Sequence, residues 1–207
     1  MITRVDPQRL RRNLAVIIGE RSPYGGERHL TAVERFIREE FQSYGLEVNA
    51  DDFFYGGATF HNVIGRHGLM QDRAVIILGA HFDSVPGSPG ADDNGSGVAV
   101  LLEAARQLSQ IKSLRSQMLF CAFNLEELNM IGSTGFAKRL KAAQVKVEAM
   151  ISLEMLGYTD PHPGSQKYPP GLSWMYPERG DFIGIIGNWR SNELLRRFAG
   201  SMRQVQG

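Results

Sequence analysis

One histidine and three acidic clusters in this sequence have the chemistry to hold a metal ion and move a proton. They are His81 in the run His81-Phe82-Asp83-Ser84, the aspartates of Gly90-Ala91-Asp92-Asp93-Asn94-Gly95-Ser96-Gly97, the pair Glu126-Glu127, and Glu154. Imidazole nitrogen and carboxylate oxygen are ligands that zinc accepts. A carboxylate can bridge two such ions about 3.5–4 Å apart, and a second, unligated carboxylate can take the proton from the attacking water. Glu126-Glu127 offers both roles from adjacent positions, because neighbouring residues at a strand end point in different directions. Glu154 interrupts an apolar run of Met150, Ile151, Leu153, Met155 and Leu156. A carboxylate buried there without a partner is costly, and a metal is one natural partner. Each feature alone has a plainer reading: a core histidine, an Asp-Asp-Asn helix cap, an exposed acidic turn. Together they describe a site for one or two divalent metals.

The elements that must position these groups follow from periodicity and punctuation. Asp6-Pro7 reads as an N-cap with proline at the first helical position, and Leu10, Leu14, Ile17 and Ile18 fall on one helical face. A second helix carries Leu30, Val33, Phe36, Ile37, Phe41 and Tyr44 on one side and stops at Gly45. Strands are predicted from Leu46 to Tyr55, Phe60 to Arg66 and Arg73 to Ala80. Strands and helices then alternate. A helix is predicted from Gly95 to Leu108, a strand from Gln117 to Phe123, a helix from Gly132 to Lys141 and a strand from Val147 to Met155. A sixth strand is expected from Asp181 to Ile186 and a last helix from Ser191 to Arg203. This order implies one α/β domain over residues 1–207, with a central mixed, mostly parallel sheet flanked by helices. The Pro/Gly/Tyr-rich stretch from Gly157 to Gly180 is too long for an ordinary connector and reads as a rim loop. In such sheets ligands gather at the carboxyl ends of strands, where His81, Glu126-Glu127 and Glu154 all fall.

Composition narrows the function classes. The 207 residues are 43% hydrophobic and 22% charged, as in a globular protein, with a net charge of +1. Nothing there argues for nucleic acid or an anionic membrane. The single cysteine, Cys121, excludes an intrachain disulfide and reads as a small core residue. No apolar run reaches membrane-spanning length, and the polar, basic N-terminus has no signal-peptide core, so the chain as written is expected in the cytoplasm. Export of a longer parent protein stays open. Ser84 and Ser96 lack a nucleophile-elbow context, and the glycine-rich loop lacks a P-loop lysine.

The motifs HFDS at 81–84, GADDNGSG at 90–97, NLEE at 124–127 and SLEMLGY at 152–158, in that order, resemble the M28 family of zinc aminopeptidases, especially its bacterial members. The resemblance runs from about Thr31 to Arg203 and implies a zinc exopeptidase fold. It implies that His81 binds one zinc, Asp92 bridges two, Glu127 binds the second and Glu154 completes the set around the first. Glu126 would be the general base, acting on a zinc-held hydroxide and later protonating the leaving amine. Asp83 matches an aspartate that orients the histidine, and Asp92-Asp93 matches a family site with a strained cis peptide. The implied substrate is a peptide with a free N-terminus.

Two departures matter. Many members have aspartate where this chain has Glu154. The family's last metal-binding histidine has no counterpart in a matching motif after Glu154, where only His162 stands, in Asp-Pro-His-Pro. The sequence is therefore expected to be a C-terminally truncated peptidase domain lacking the last strands. It should bind at most one of the two zinc ions of a complete site. Two alternatives stand beside the aminopeptidase: a single-zinc acyltransferase like glutaminyl cyclase, and a non-catalytic fragment that keeps the fold. Tyr168, Trp174 and Tyr176 read equally as a substrate rim or as packing for a long loop, and His29, His61 and His67 as structural or exposed.

Overall fold

The structure, a computed structural model, describes residues 5–68, 74–171 and 174–205. Residues 69–72 of the connector expected at Arg66 to Asp72, and the expected strand start at Arg73, lie outside the described residues. The chain divides into two units, Met1–Gly157 and Tyr158–Gly207.

The first unit holds α1 (Pro7–Ile17), α2 (Glu27–Ser43), β1 (Glu47–Tyr55), β2 (Ala58–His67), β3 (Val75–His81), α3 (Gly97–Leu108), β4 (Gln117–Phe123), α4 (Ile131–Ala142) and β5 (Val147–Ser152). Asp6 caps α1 as expected, its side chain accepting from the backbone of Gln8 and Arg9 at 2.9 and 3.2 Å. Ile17 is buried, but Ile18 lies past the helix end and is exposed, because the chain leaves helical conformation there. β1 and β2 form a hairpin about Gly56-Gly57, whose φ angles of 57° and 88° suit the twist of a tight two-residue turn.

The sheet order is β1-β2-β4-β3-β5. The pairings of β1 with β2 and β2 with β4 are antiparallel, whereas β3 runs parallel to both β4 and β5. Parallel neighbours need crossovers, and α3 and α4 supply them. β3 (VIILGAH) and β4 (QMLFCAF) are almost wholly buried, as a sheet covered on both faces requires. One face packs Val63, Leu78 and Phe120 against Ile17 of α1, Ile37 and Phe41 of α2, and Leu101 and Leu102 of α3. The other packs Ile77, Leu119, Cys121 and Phe123 against Phe136 of α4. Cys121 is a buried core residue, as expected.

The second unit carries one antiparallel bridge, Asp160 to Gly180, a short turn at Trp189–Ser191 capped by Asn188, and α5 (Asn192–Val205). The strand expected at Asp181 to Ile186 does not form. Its run of Phe182, Ile183 and Ile185 has strand-like residues, but a strand also needs a neighbour for its backbone groups, and none of the described residues pairs there. Among the described residues no helix is long and apolar enough to cross a membrane.

Candidate active site

The strand order explains the meeting of residues far apart in sequence. β3 lies between β4 and β5 and runs parallel to both, so the three strands end at one edge of the sheet. His81 closes β3, Glu126-Glu127 follows β4, and Glu154 follows β5. The carboxylates therefore reach the imidazole from both sides.

His81 is 4% exposed. Its Nε2 lies 3.1 Å from Glu154 Oε1, 3.1 Å from Asp93 Oδ1 and 3.8 Å from Glu126 Oε2. His81, Asp93 and Glu154 each present one donor atom, all within 4.8 Å of one another. On the far side of the ring, Nδ1 faces Asp83 Oδ1 at 3.4 Å and has no hydrogen-bond partner among the described residues. Burial alone would lower the His81 pKa, but Asp83 and Glu154 outweigh it and hold the imidazole up at about 10.

Asp83 is completely buried and grips the loop after β4. Its Oδ1 and Oδ2 accept the backbone N–H groups of Glu126 and Glu127 at 3.0 and 3.1 Å. Leu125, with φ of 54°, turns the chain just ahead of this pair. Asn62 secures the same loop, its Oδ1 accepting from Asn124 N at 2.9 Å and its Nδ2 donating to Gly132 O at 3.0 Å. The Glu126 carboxyl is raised above the ordinary range, first by burial and then by Asp83, Glu154 and Asp93, against the lowering effect of His81. The Glu127 carboxyl is raised too, by burial and then by Asp93.

Asp92, expected as the bridging ligand, is not among the three residues brought together; Asp93 is. The Asp92 side chain closes its own turn instead, Oδ1 accepting from Ser96 Oγ at 3.0 Å and from Gly157 N at 2.7 Å. The cis peptide expected at Asp92-Asp93 is found one residue later, at Asp93–Asn94. Two adjacent aspartates in a glycine-rich loop carry no signal of which faces inward; that is set by the turn over Ala91–Ser96. Glu154 also departs from expectation, since its side chain is 47% exposed rather than buried in the apolar run. The strand ends at Ser152, two residues before it, which frees the carboxylate from the sheet.

Sequence reasoning missed the residues that brace the site. Asn94 brackets Glu154, its Nδ2 donating to Leu153 O at 2.8 Å and its Oδ1 accepting from Met155 N at 3.3 Å. Arg21 lies wholly buried behind the β3 exit. Neither stands out in sequence, since arginine is ordinarily exposed and Asn94 reads as part of a cap.

Within the second unit, His162 is hydrogen-bonded through Nδ1 to Asp160 Oδ1 at 2.6 Å. Tyr168 and Tyr176 pack ring to ring at 5.3 Å, and Trp174 donates to Gly171 O at 2.8 Å. These contacts support the loop itself.

An imidazole nitrogen converging with carboxylate oxygens, in a cluster whose acidic groups outnumber its one histidine, is a donor set that suits a divalent ion such as zinc. The chain is 37% identical to YfbL of Escherichia coli K12 over 86% of this chain and 58% of that protein. It is 39% identical to aminopeptidase YwaD of Bacillus subtilis over 48% of this chain and 22% of that one. To the probable lipoprotein aminopeptidase LpqL of Mycobacterium tuberculosis it is 36% identical over 69% and 29% of the two chains. The chain thus spans little more than half the length of the first of these relatives, and less of the others. Among solved structures, LapB of Legionella pneumophila superposes with a TM-score of 0.63 at 28% identity, over 75% of this chain and 44% of that one. Glutaminyl cyclase of Porphyromonas gingivalis does so with 0.58 at 27%, over 72% and 58%. The sequence pattern of peptidase family M28 matches residues 62–194, which embrace His81, Asp83, Asp93, Glu126, Glu127 and Glu154, and the chain belongs to that family.

Proposed function

We propose that this chain carries the metal site and proton-transfer residue of a zinc-dependent aminopeptidase that cleaves the first peptide bond of a substrate with a free N-terminus. The observation that carries this reading is the convergence of His81 Nε2, Asp93 Oδ1 and Glu154 Oε1, with Glu126 Oε2 3.8 Å from the same imidazole nitrogen. His81, Asp93 and Glu154 would hold one zinc ion. Zinc, when bound, supplies a Lewis acid for the carbonyl oxygen and brings the pKa of water down to about 7.

The chain's own residues do the rest. Glu126 takes a proton from the attacking water and passes it to the amine as the carbon–nitrogen bond breaks. Its raised carboxyl pKa suits a group that must both accept and return a proton. Asp83 fixes the backbone of Glu126 and Glu127, so the base keeps its distance from His81. Glu127 and Asp93, rather than Asp92, would be the carboxylates available to a second ion. We expect one tightly held zinc per chain of 207 residues.

Glu126→Gln tests the assignment. Turnover should fall by about 10²–10⁴-fold, the usual worth of a general base, while zinc content stays at the wild-type level. Loss of zinc together with activity would make Glu126 a ligand and sink the proposal.

The likeness to a glutaminyl cyclase at 27% identity favours one second reading, acyl transfer within an N-terminal glutamine substrate. Product analysis separates the two: a released amino acid supports hydrolysis, and a cyclised N-terminus with no cleavage supports the cyclase.

A further inference from the structure

Arg21 is completely buried, yet no ion pair to a carboxylate is formed by it among the described residues. Its guanidinium is spent on backbone carbonyls of three segments. Nε donates to Phe82 O at 2.6 Å, just past β3. Nη1 donates to Ile17 O, Gly19 O and Pro89 O at 2.8, 2.7 and 2.9 Å, and Nη2 to Gly90 O at 2.8 Å. Its own backbone N–H donates to Ser84 Oγ at 2.9 Å. A buried cation is costly to desolvate, and an apolar side chain of similar size often stabilises a core at least as well. Packing α1 onto the sheet therefore does not by itself call for arginine.

The carbonyls it gathers are placed to matter. Phe82 stands between His81 and Asp83. Gly90 begins the turn that presents Asp93, and a Cβ on Gly90 would come within 2.5 Å of Arg21 Nη2, so the turn is drawn tightly against the guanidinium. One rigid planar fork thus ties the strand end bearing the histidine to the turn bearing the aspartate. Asp83 and Asp93 are also the two charges that act on Arg21, opposing the fall of its pKa to about 10 on burial.

We propose that Arg21 is a positioning residue for the metal site, setting the separation of His81 and Asp93 through the carbonyls of Phe82 and Gly90. This rests on reading His81, Asp93 and Glu154 as metal ligands. The test is Co²⁺ titration of the metal-free protein, read by visible absorption, beside its thermal unfolding. Arg21→Met should weaken Co²⁺ binding about tenfold or more, the usual cost of removing a group that holds metal ligands in place, and should shift the visible bands. Arg21→Lys should weaken it as much, because one ammonium cannot span both carbonyls.

Co²⁺ affinity within threefold of wild type and an unchanged spectrum in Arg21→Met, whatever the change in Tm, would make Arg21 merely structural and overturn the inference. Full affinity in Arg21→Lys would overturn it as well, leaving charge alone as the cause. Wild-type protein that binds no Co²⁺ would instead overturn the metal reading, and the inference with it. Should both variants fail to fold, arginine-labelled wild-type protein decides: the Arg21 Nε–H resonance should shift when Zn²⁺ is added, and an unmoved resonance rules the role out.

Discussion

Asp83 accepts the backbone N–H of Glu126 at 3.0 Å across a gap of 43 residues, and its other oxygen takes the next N–H in the chain. A buried carboxylate thus sets where the loop bearing Glu126 and Glu127 starts. Asp83→Asn keeps the size but turns one acceptor into a donor, leaving one N–H facing an NH₂ group. An unsatisfied buried group costs about 1–3 kcal/mol. We expect a stability loss of that order in chemical denaturation, with a fall in turnover larger than any change in zinc content. Unchanged stability and unchanged turnover would contradict the grip described for Asp83.

The two aspartates of the glycine-rich turn should behave differently. Asp93 points at His81, whereas Asp92 binds Ser96 Oγ and Gly157 N. Asparagine retains an acceptor oxygen for both Asp92 contacts, so Asp92→Asn should keep its zinc on dialysis. Asp93→Asn should lose most of it. Elemental analysis of the two variants decides, and the reverse pattern would return the ligand role to Asp92.

Zinc uptake should release a proton. The folded, metal-free protein holds the His81 pKa at about 10, raised from 6.5. A group raised in this way adds stability that is complete below about pH 6.5 and disappears as pH climbs through about 10. A histidine that binds zinc must be neutral, so zinc held by His81 below about pH 10 would displace its proton. Affinity should therefore rise with pH, by up to about tenfold per unit, over that range. Calorimetry at pH near 7.5 in two buffers of different ionisation enthalpy would reveal the proton as a difference in apparent heat, and equal heats would exclude it.

Asn94→Ala offers a test of how Glu154 is held. The change removes the acceptor for Gly97 N and Met155 N and the donor to Leu153 O. A destabilisation of about 2–4 kcal/mol is expected from these buried groups, together with weaker zinc binding. Stability that falls while zinc affinity holds would show that Glu154 is positioned by its strand alone.

Much of this was legible from residue order. The cap at Asp6, the glycine stop at Gly45, the buried strand Gln117–Phe123 and the buried stripe of α2 follow from local periodicity and turn chemistry, which act over a few residues. The strand expected at Asp181 to Ile186 failed for the converse reason: its pattern is local, but a strand needs a partner.

The sequence by itself determined which groups reach the edge of the sheet, because His81, Glu126-Glu127 and Glu154 each follow a run of apolar strand residues. Only the tertiary structure decided how they meet. The order β4-β3-β5 sets His81 between Glu126 and Glu154. The turn over Ala91–Ser96 chooses Asp93 over its neighbour. The buried Arg21 ties the backbone just past β3 to the turn that begins at Gly90. Each depends on contacts between residues far apart along the chain, and periodicity and spacing carry no record of those.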